Sequence, residues 1–147
     1  MANALLVKLH QFFESKKEYG AIFLRVTIGW RLVYGTQDNV FSWERMIEFK
    51  EFLAGYNFAY PLIAAFVSVY AQFICGILYV LGWFIRPAAF IMIINFMVAL
   101  FVVHFGTTFL DSFPALMMLS GSIFFMFHGA GKLSLDNWNN PRRMPDA

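Results

Sequence analysis

Residues 60–105 read YPLIAAFVSVYAQFICGILYVLGWFIRPAAFIMIINFMVALFVVHF, and Arg86 is the only charged residue among them. The charge-free segments on either side of Arg86 extend over residues 52–85 and 87–110. Each exceeds the length of about 20 predominantly apolar residues that a helix needs to cross a bilayer. The stretch therefore predicts two membrane-spanning helices, over residues 60–85 and 87–105, joined by a short turn at Arg86.

Two further spans are predicted outward from this stretch. Residues 112–131 contain no Asp, Glu, Lys or Arg and predict a span over residues 113–128. Residues 20–36 read GAIFLRVTIGWRLVYGT and predict the first span, although each of Arg25 and Arg31 would cost about 2.5–3.5 kcal/mol near a helix centre. The predicted fold class is all-α: one domain over residues 1–147, built as an integral membrane four-helix bundle.

The composition agrees with a membrane protein and excludes other classes. Apolar residues make up 60% of the chain and charged residues only 14%, whereas a soluble domain carries about 25% charged residues. So few charges could not cover the surface of a soluble enzyme, and a net charge of +2 does not favour a nucleic-acid partner. The single cysteine, Cys75, excludes a disulfide framework and a cysteine-rich zinc site.

Charges near the predicted span ends set the expected orientation. Lysine and arginine are enriched in cytoplasmic segments, and the N-terminus, the turn between spans two and three, and the C-terminal tail carry Lys8, Lys16, Lys17, Arg86, Lys132, Arg142 and Arg143. We therefore expect both termini in the cytoplasm. Residues 4–13 and 41–53 place apolar side chains at helical spacing among charges, which predicts short interfacial helices at the N-terminus and in the first outer loop.

Polar residues inside the spans are the candidates for function, because polar side chains are costly in hydrocarbon. Counting along the helices at 1.5 Å per residue places four donors in the outer half of the bundle. These tentative ligand-binding residues are Arg31, Tyr34, Gln72 and His104. Together they could contact the polar head of an amphiphile.

A second set of polar residues is interpreted as structural: Arg25, Asp38, Asn95, His128 and Lys132. Asn95 and His104 are nine residues apart and would point in opposite directions on a straight α-helix, so they are not expected to share a site. The three histidines do not form a pattern that predicts a metal site. No nucleotide-binding loop or catalytic triad is present, and catalytic residues therefore stay unassigned.

Several short motifs resemble those of one protein family. They are Leu24-Arg25 with Gly29, Tyr34-Gly35, Leu81-Gly82 with Arg86, His104, and the sequence GAGKLSLD at residues 129–136. In this order and spacing they resemble the DoxX family of small four-helix bacterial membrane proteins. The resemblance implies the same fold and a location in the bacterial cytoplasmic (inner) membrane. The family includes a subunit of an archaeal thiosulfate:quinone oxidoreductase.

The resemblance and the polar residues together support three functions. The first is a redox-associated membrane subunit that binds a quinone or similar amphiphile within the bundle; quinone is then the expected cofactor, since no intrinsic flavin, haem or iron–sulfur motif is evident. The second is a non-enzymatic accessory or scaffold subunit of a membrane complex. The third is a small lipid-binding or transport protein. The expected partners are the lipid bilayer and either another membrane or redox subunit or a second copy of the chain.

Overall fold

The computed structural model describes residues 2–139, with side chains for residues 6–138 except residue 17. This part of the chain is helical and contains no strand. Its elements are α1 (Ala2–Phe41), α2 (Trp43–Ala54), α3 (Pro61–Leu81), α4 (Ile85–Val98) with a π-helical continuation (Ala99–Val103), α5 (Phe109–His128) and α6 (Leu135–Asn139). Arg142 and Arg143, which contributed to the predicted orientation, lie outside the described residues.

Three helices of the described part are long and apolar enough to cross a membrane: Pro61–Leu81, Ile85–Val103 and Phe109–His128. They coincide with the predicted spans over residues 60–85, 87–105 and 113–128. Large apolar side chains are exposed along all three helices, including Val67 and Phe127. Exposed apolar side chains along helices of this length favour contact with lipid. The helices are therefore consistent with embedding in a bilayer, as the sequence predicted.

The N-terminal helix differs from the prediction. Residues 4–13 do not form a separate interfacial helix, because α1 continues without a break from Ala2 to Phe41. The intervening residues Lys16, Lys17 and Glu18 favour helix, and the single Gly20 weakens a helix without ending it. The first predicted span, residues 20–36, lies within α1, which is not among the three apolar helices. The fourth membrane crossing thus stays a prediction.

Helices α1 and α3 cross at two glycines. A Cβ atom on Gly29 would lie 2.6 Å from the carbonyl oxygen of Gly76 and 2.8 Å from Val80 Cγ2. A Cβ atom on Gly76 would in turn lie 2.9 Å from the carbonyl oxygen of Gly29. Lipid is as apolar as a side chain, so helices in a bilayer associate through close packing of small residues rather than through hydrophobic burial. These two glycines therefore hold α1 against α3.

Helix α2 packs onto the beginning of α3. Ser42 is its N-cap residue and accepts a hydrogen bond from the backbone N–H of Arg45, a common helix-start arrangement. Met46 and Leu53 are buried in a cluster that also contains Ala65 and Val69 of α3. The sequence predicted a helix over residues 41–53 that lies on the membrane surface. The structure confirms a helix but folds one side of it against α3, where it covers one end of the protein, here called the α2 end.

Candidate functional site

A cavity of about 540 Å³ lies at the α2 end, between α1, α3, α4 and α5. Its lining is predominantly apolar, and α2 covers it with Phe49, Phe52 and Leu53. Ligand pockets for small organic molecules typically measure about 300–1,000 Å³ and combine apolar walls with a few placed polar groups. The cavity is therefore large enough for a small amphiphile.

The polar side chains of the lining are Arg31, Ser68, Gln72, Asn95 and His104, and the lining contains no Asp or Glu. Three of the four residues predicted to bind a ligand (Arg31, Gln72 and His104) are thus brought together by the fold. Ser68 and Asn95 join them, although the sequence interpretation had placed Asn95 among structural residues. The predicted site residues are in this way concentrated around one cavity.

Three of these side chains form a hydrogen-bonded chain between α3 and α4. Gln72 Nε2 donates to Ser68 Oγ over 3.0 Å, and Ser68 Oγ donates to Asn95 Oδ1 over 2.9 Å. Ser68 and Gln72 are four residues apart and therefore lie on one face of α3. Each amide has more hydrogen-bonding positions than this chain uses. In this arrangement, the Nδ2 group of Asn95 and the Oε1 atom of Gln72 have no partner in the described part of the protein.

Arg31 lies over a glycine of its own helix. A Cβ atom on Gly35, one turn further along α1, would overlap the Nη1 atom of Arg31. The missing side chain at residue 35 therefore leaves the space that the guanidinium occupies. Asp38, which the sequence spacing suggested as a partner, is exposed, and the ion pair of the nearby Arg45 is with Glu48. No hydrogen bond or ion pair of the Arg31 side chain is present among the described residues.

The π-helical segment Ala99–Val103 explains why His104 shares the cavity with Asn95. The backbone N–H of His104 donates to the carbonyl oxygen of Ala99, five residues earlier, over 2.9 Å. A π-type hydrogen bond encloses one residue more than an α-type bond. The side chains that follow are therefore rotated about the helix axis by roughly 100° relative to a straight α-helix. Nine residues on a straight α-helix separate two side chains by roughly 180°. The expectation that Asn95 and His104 lie on opposite sides is therefore wrong.

Tyr34 does not contribute to the cavity lining. Its side chain is 61% exposed and stacks on Trp30, with 6.5 Å between the ring centroids. Both residues lie on the outward side of α1, since the adjacent positions that face α3 are Gly29 and Leu32. The spacing of Tyr34 from Arg31 suggested one helix face, but three residues on a helix also permit the two side chains to diverge by about 60°.

The cavity is partly open to the outside, and some of its lining residues on α3 and α4 are exposed. Val67 of α3 is 64% exposed and Ile94 of α4 is 50% exposed, and both also line the cavity. Since these helices are apolar enough to lie in a membrane, the opening would face hydrocarbon rather than water. A molecule dissolved in the bilayer could enter here without crossing an aqueous phase.

A second polar cluster lies at the opposite end of the protein and has a structural role. The side chain of Arg25 is only 3% exposed; its Nη1 atom donates to the carbonyl oxygen of Ala130, and its Nη2 atom donates to that of Leu133 over 2.8 Å. Arginine side chains commonly stabilise irregular backbone in this way. Arg25 therefore holds the turn after α5 against α1, which agrees with its interpretation as a structural residue.

Asp136 completes this cluster by capping α4. Its two carboxylate oxygens accept hydrogen bonds from the backbone N–H groups of Phe84, over 2.8 Å, and Ile85, over 3.0 Å. These N–H groups lie at the start of α4, where no backbone acceptor is available. A carboxylate at this position also compensates the positive end of the helix. The GAGKLSLD motif thus connects the C-terminal segment to the turn between α3 and α4.

The two remaining structural residues also lie at this end. His128 stacks on Phe124, with 4.8 Å between the ring centroids, and it does not reach the cavity. Lys132 is exposed, and its carbonyl oxygen accepts a hydrogen bond from Asn137 Nδ2 over 2.8 Å. The described residues contain no group of three His, Cys, Asp or Glu side chains that could hold a metal ion.

Sequence reasoning missed two residues of the cavity lining, Ser68 and Asn95, and the space that Gly35 leaves for Arg31. Ser68 and Gln72 lie four residues apart on one helix face, so this spacing could have predicted that Ser68 lies beside Gln72. Asn95 could not be placed, because the π-helical segment that brings His104 to the same cavity has no distinct sequence pattern. Gly35 carries no side chain, and its role follows only from the path of the Arg31 side chain.

Of the comparisons with known proteins, the one with family profiles gives a match. No curated protein and no solved structure matches the chain. The family profile of DoxX matches residues 20–105, which include about half of α1, all of α2, α3 and α4, and the π-helical segment with His104. The match ends before the GAGKLSLD motif, although that motif contributed to the resemblance. Because the match covers more than half of the chain, the protein belongs to the DoxX family of membrane proteins.

Proposed function

We propose that this protein binds a quinone, or an amphiphile of similar shape, in the cavity at the α2 end. The observation that carries the proposal is the group of polar side chains, Arg31, Ser68, Gln72, Asn95 and His104, within the apolar walls of one cavity. A quinone has two carbonyl oxygens that accept hydrogen bonds and a flat apolar body. Arginine and amide side chains supply the donors for such oxygens.

The cavity satisfies the requirements of such a head group. Its volume of about 540 Å³ lies in the range of small-molecule pockets. The chain formed by Gln72, Ser68 and Asn95 lies on two helices, so the unused amide groups have fixed positions relative to the walls. Phe49 and Phe52 of α2 cover the cavity and would limit the access of water from this end.

We further propose that the protein acts as a redox-associated subunit. A bound quinone supplies two-electron chemistry coupled to proton transfer. The residues of this chain would bind and orient its head, and another membrane or redox subunit would exchange electrons with it. We place the protein in the bacterial cytoplasmic membrane with four crossings and both termini in the cytoplasm. The distribution of lysine and arginine near the helix ends supports that orientation.

Binding of decylubiquinone to the purified protein tests the proposed site. In detergent, we expect the probe to raise the thermal unfolding temperature of the wild type. Gln72→Leu removes one hydrogen-bonding group with little change of volume, and we expect it to weaken binding by about 2- to 10-fold, the equivalent of one neutral hydrogen bond. Tyr34→Phe is the matched control, because Tyr34 lies outside the cavity.

Two outcomes would contradict the proposal. In the first, the wild type shows neither binding nor a thermal shift with decylubiquinone. In the second, Tyr34→Phe weakens binding as much as Gln72→Leu does. The unfolding temperature of each variant without the probe shows whether the variant is folded, so that a loss of binding can be separated from a loss of structure.

A further inference from the structure

Arg31 is an exposed residue whose charge has no counter-charge among the residues that line the apolar cavity. Of the residues that line the cavity, Arg31 is the only one with a permanent charge, and the lining contains no Asp or Glu. Asp38, seven residues further along α1, is exposed and forms no ion pair with Arg31 in the described part of the chain. A cation in the hydrocarbon region normally pairs with an anion or with backbone carbonyl groups. The described part of the protein provides neither to Arg31.

Arg25, on the same helix, has hydrogen-bond partners within the protein, in contrast to Arg31. Its guanidinium is buried and donates to the carbonyl oxygens of Ala130 and Leu133. The protein therefore compensates one of the two arginines of α1 internally and leaves the other open to a cavity. A guanidinium binds carboxylate-like oxygen pairs through two parallel N–H groups. The complementary partner of Arg31 is then an oxygen anion on the molecule that occupies the cavity.

From this charge pattern we infer that the cavity selects an amphiphile with an ionised oxygen acid, and that Gly35 is the positioning residue for the guanidinium that recognises it. The inference rests on the proposed function and specifies the class of its ligand. The acid would pair with Arg31, while a neutral oxygen of the same head would meet the amide groups of Gln72 and Asn95. Two kinds of molecule have this chemistry: a hydroxyquinone in its enolate form and a fatty acid.

Gly35 gives a direct way to test the position of the charge. A Cβ at residue 35 would overlap only the guanidinium of Arg31, at the flexible end of that side chain. Gly35→Ala should therefore displace the guanidinium without disturbing the packing between helices. Gly20→Ala is the matched control, because a Cβ at residue 20 on the same helix would meet no atom within 4 Å. Both variants replace a glycine of α1 with alanine, so their effects on helix propensity are comparable.

Pairs of probes that differ mainly in charge distinguish the effect of ligand charge on affinity from the effect of ligand shape. We would measure the affinity of the purified full-length protein for lapachol, a hydroxynaphthoquinone that is ionised at neutral pH, and for its neutral methyl ether. A second pair consists of oleate and oleyl alcohol. For at least one pair we expect the acid to bind at least about tenfold more tightly than the neutral partner, as one charge-assisted hydrogen bond would give.

Variants of α1 test whether the preference for the acid depends on the charge of Arg31. We expect Arg31→Gln to abolish it, Arg31→Lys to retain part of it, Gly35→Ala to reduce it, and Gly20→Ala to leave it unchanged. A preference confined to lapachol identifies a hydroxyquinone, and a preference confined to oleate identifies a fatty acid; either result supports an ionised acid. Equal affinities for the acid and its neutral partner within both pairs would overturn the inference, and binding of both quinones would in that case leave the proposed quinone site intact.

Failure of the proposed function has a different signature. If no quinone probe binds but oleate binds through Arg31, the quinone site is wrong and the acid site is correct. A preference that persists unchanged in Arg31→Gln would overturn the inference, since the charge would then be recognised elsewhere. The unfolding temperature of each variant without a probe shows whether the variant is folded.

Discussion

Replacement of Asp136 should loosen the end of the protein opposite to the cavity. Its carboxylate accepts two hydrogen bonds from backbone N–H groups, those of Phe84 at 2.8 Å and Ile85 at 3.0 Å. Phe84 also has a φ angle of 49°, in the left-handed region, where a bulky residue costs on the order of 1–3 kcal/mol. The Asp136 hydrogen bonds help to hold this backbone conformation at the start of α4.

The expected loss can be worked out from these contacts. A hydrogen bond to a charged group contributes about 1.5–3 kcal/mol, with solvent-exposed bonds at the low end, and the Phe84 bond is exposed. Loss of a capping side chain costs about 0.5–2 kcal/mol. For Asp136→Ala we therefore expect the free energy of unfolding to fall by about 2–3 kcal/mol. Asp136→Asn keeps one acceptor oxygen, and we expect about half of that loss.

The assay is unfolding of the purified protein in mixed micelles with increasing SDS, followed by tryptophan fluorescence and circular dichroism. Asp38→Ala is the control, because Asp38 is an exposed carboxylate at the other end of the protein, and surface substitutions of this kind usually change stability by less than about 0.5 kcal/mol. A loss below about 0.5 kcal/mol in Asp136→Ala would refute the reasoning. Equal losses for Asp136→Asn and Asp136→Ala would show that the carbonyl oxygen of the amide cannot replace the carboxylate.

Two further predictions concern the arrangement of the helices. Gly29→Val should separate α1 from α3, since even its Cβ would lie 2.6 Å from the carbonyl oxygen of Gly76. In the same assay we expect the free energy of unfolding to fall by about 1–3 kcal/mol, which is typical of overpacking. Gly20→Ala is the control and should not destabilise the protein. The proposed topology predicts that a reporter inserted after Asn57 lies on the opposite side of the membrane from both termini, as measured with alkaline phosphatase and green fluorescent protein fusions; an N-terminus on the same side as Asn57 would show that α1 does not cross.

Much of the helical arrangement could be predicted from the sequence. The three apolar helices follow from long segments without charge, and their observed bounds deviate from the predicted ones by at most a few residues. The helix α2 follows from the spacing of its apolar residues among charged ones. The sequence did not predict that residues 4–13 and 20–36 belong to one continuous helix, α1. The apolar pattern stops between them although the helix does not, so the pattern suggested two separate helices.

The candidate site was predictable only in part. Arg31, Gln72 and His104 were identified because donors within apolar spans are rare and costly, and the fold places all three on one cavity. Tyr34 was grouped with them by helix spacing alone, which cannot decide the direction of a side chain relative to a neighbouring helix. Asn95 was excluded by the same arithmetic, which assumed a straight α-helix.

The sequence by itself determined that this chain is a helical membrane protein of the DoxX family, because charge-free length and short family motifs are local properties of the chain. The tertiary structure decided which polar residues share a cavity. A single π-helical segment rotates His104 toward Asn95, and a glycine at residue 35 makes room for the Arg31 guanidinium. It also decided that Arg25 is compensated while Arg31 is left open, since carbonyl groups more than 100 residues away along the chain provide the partners of Arg25.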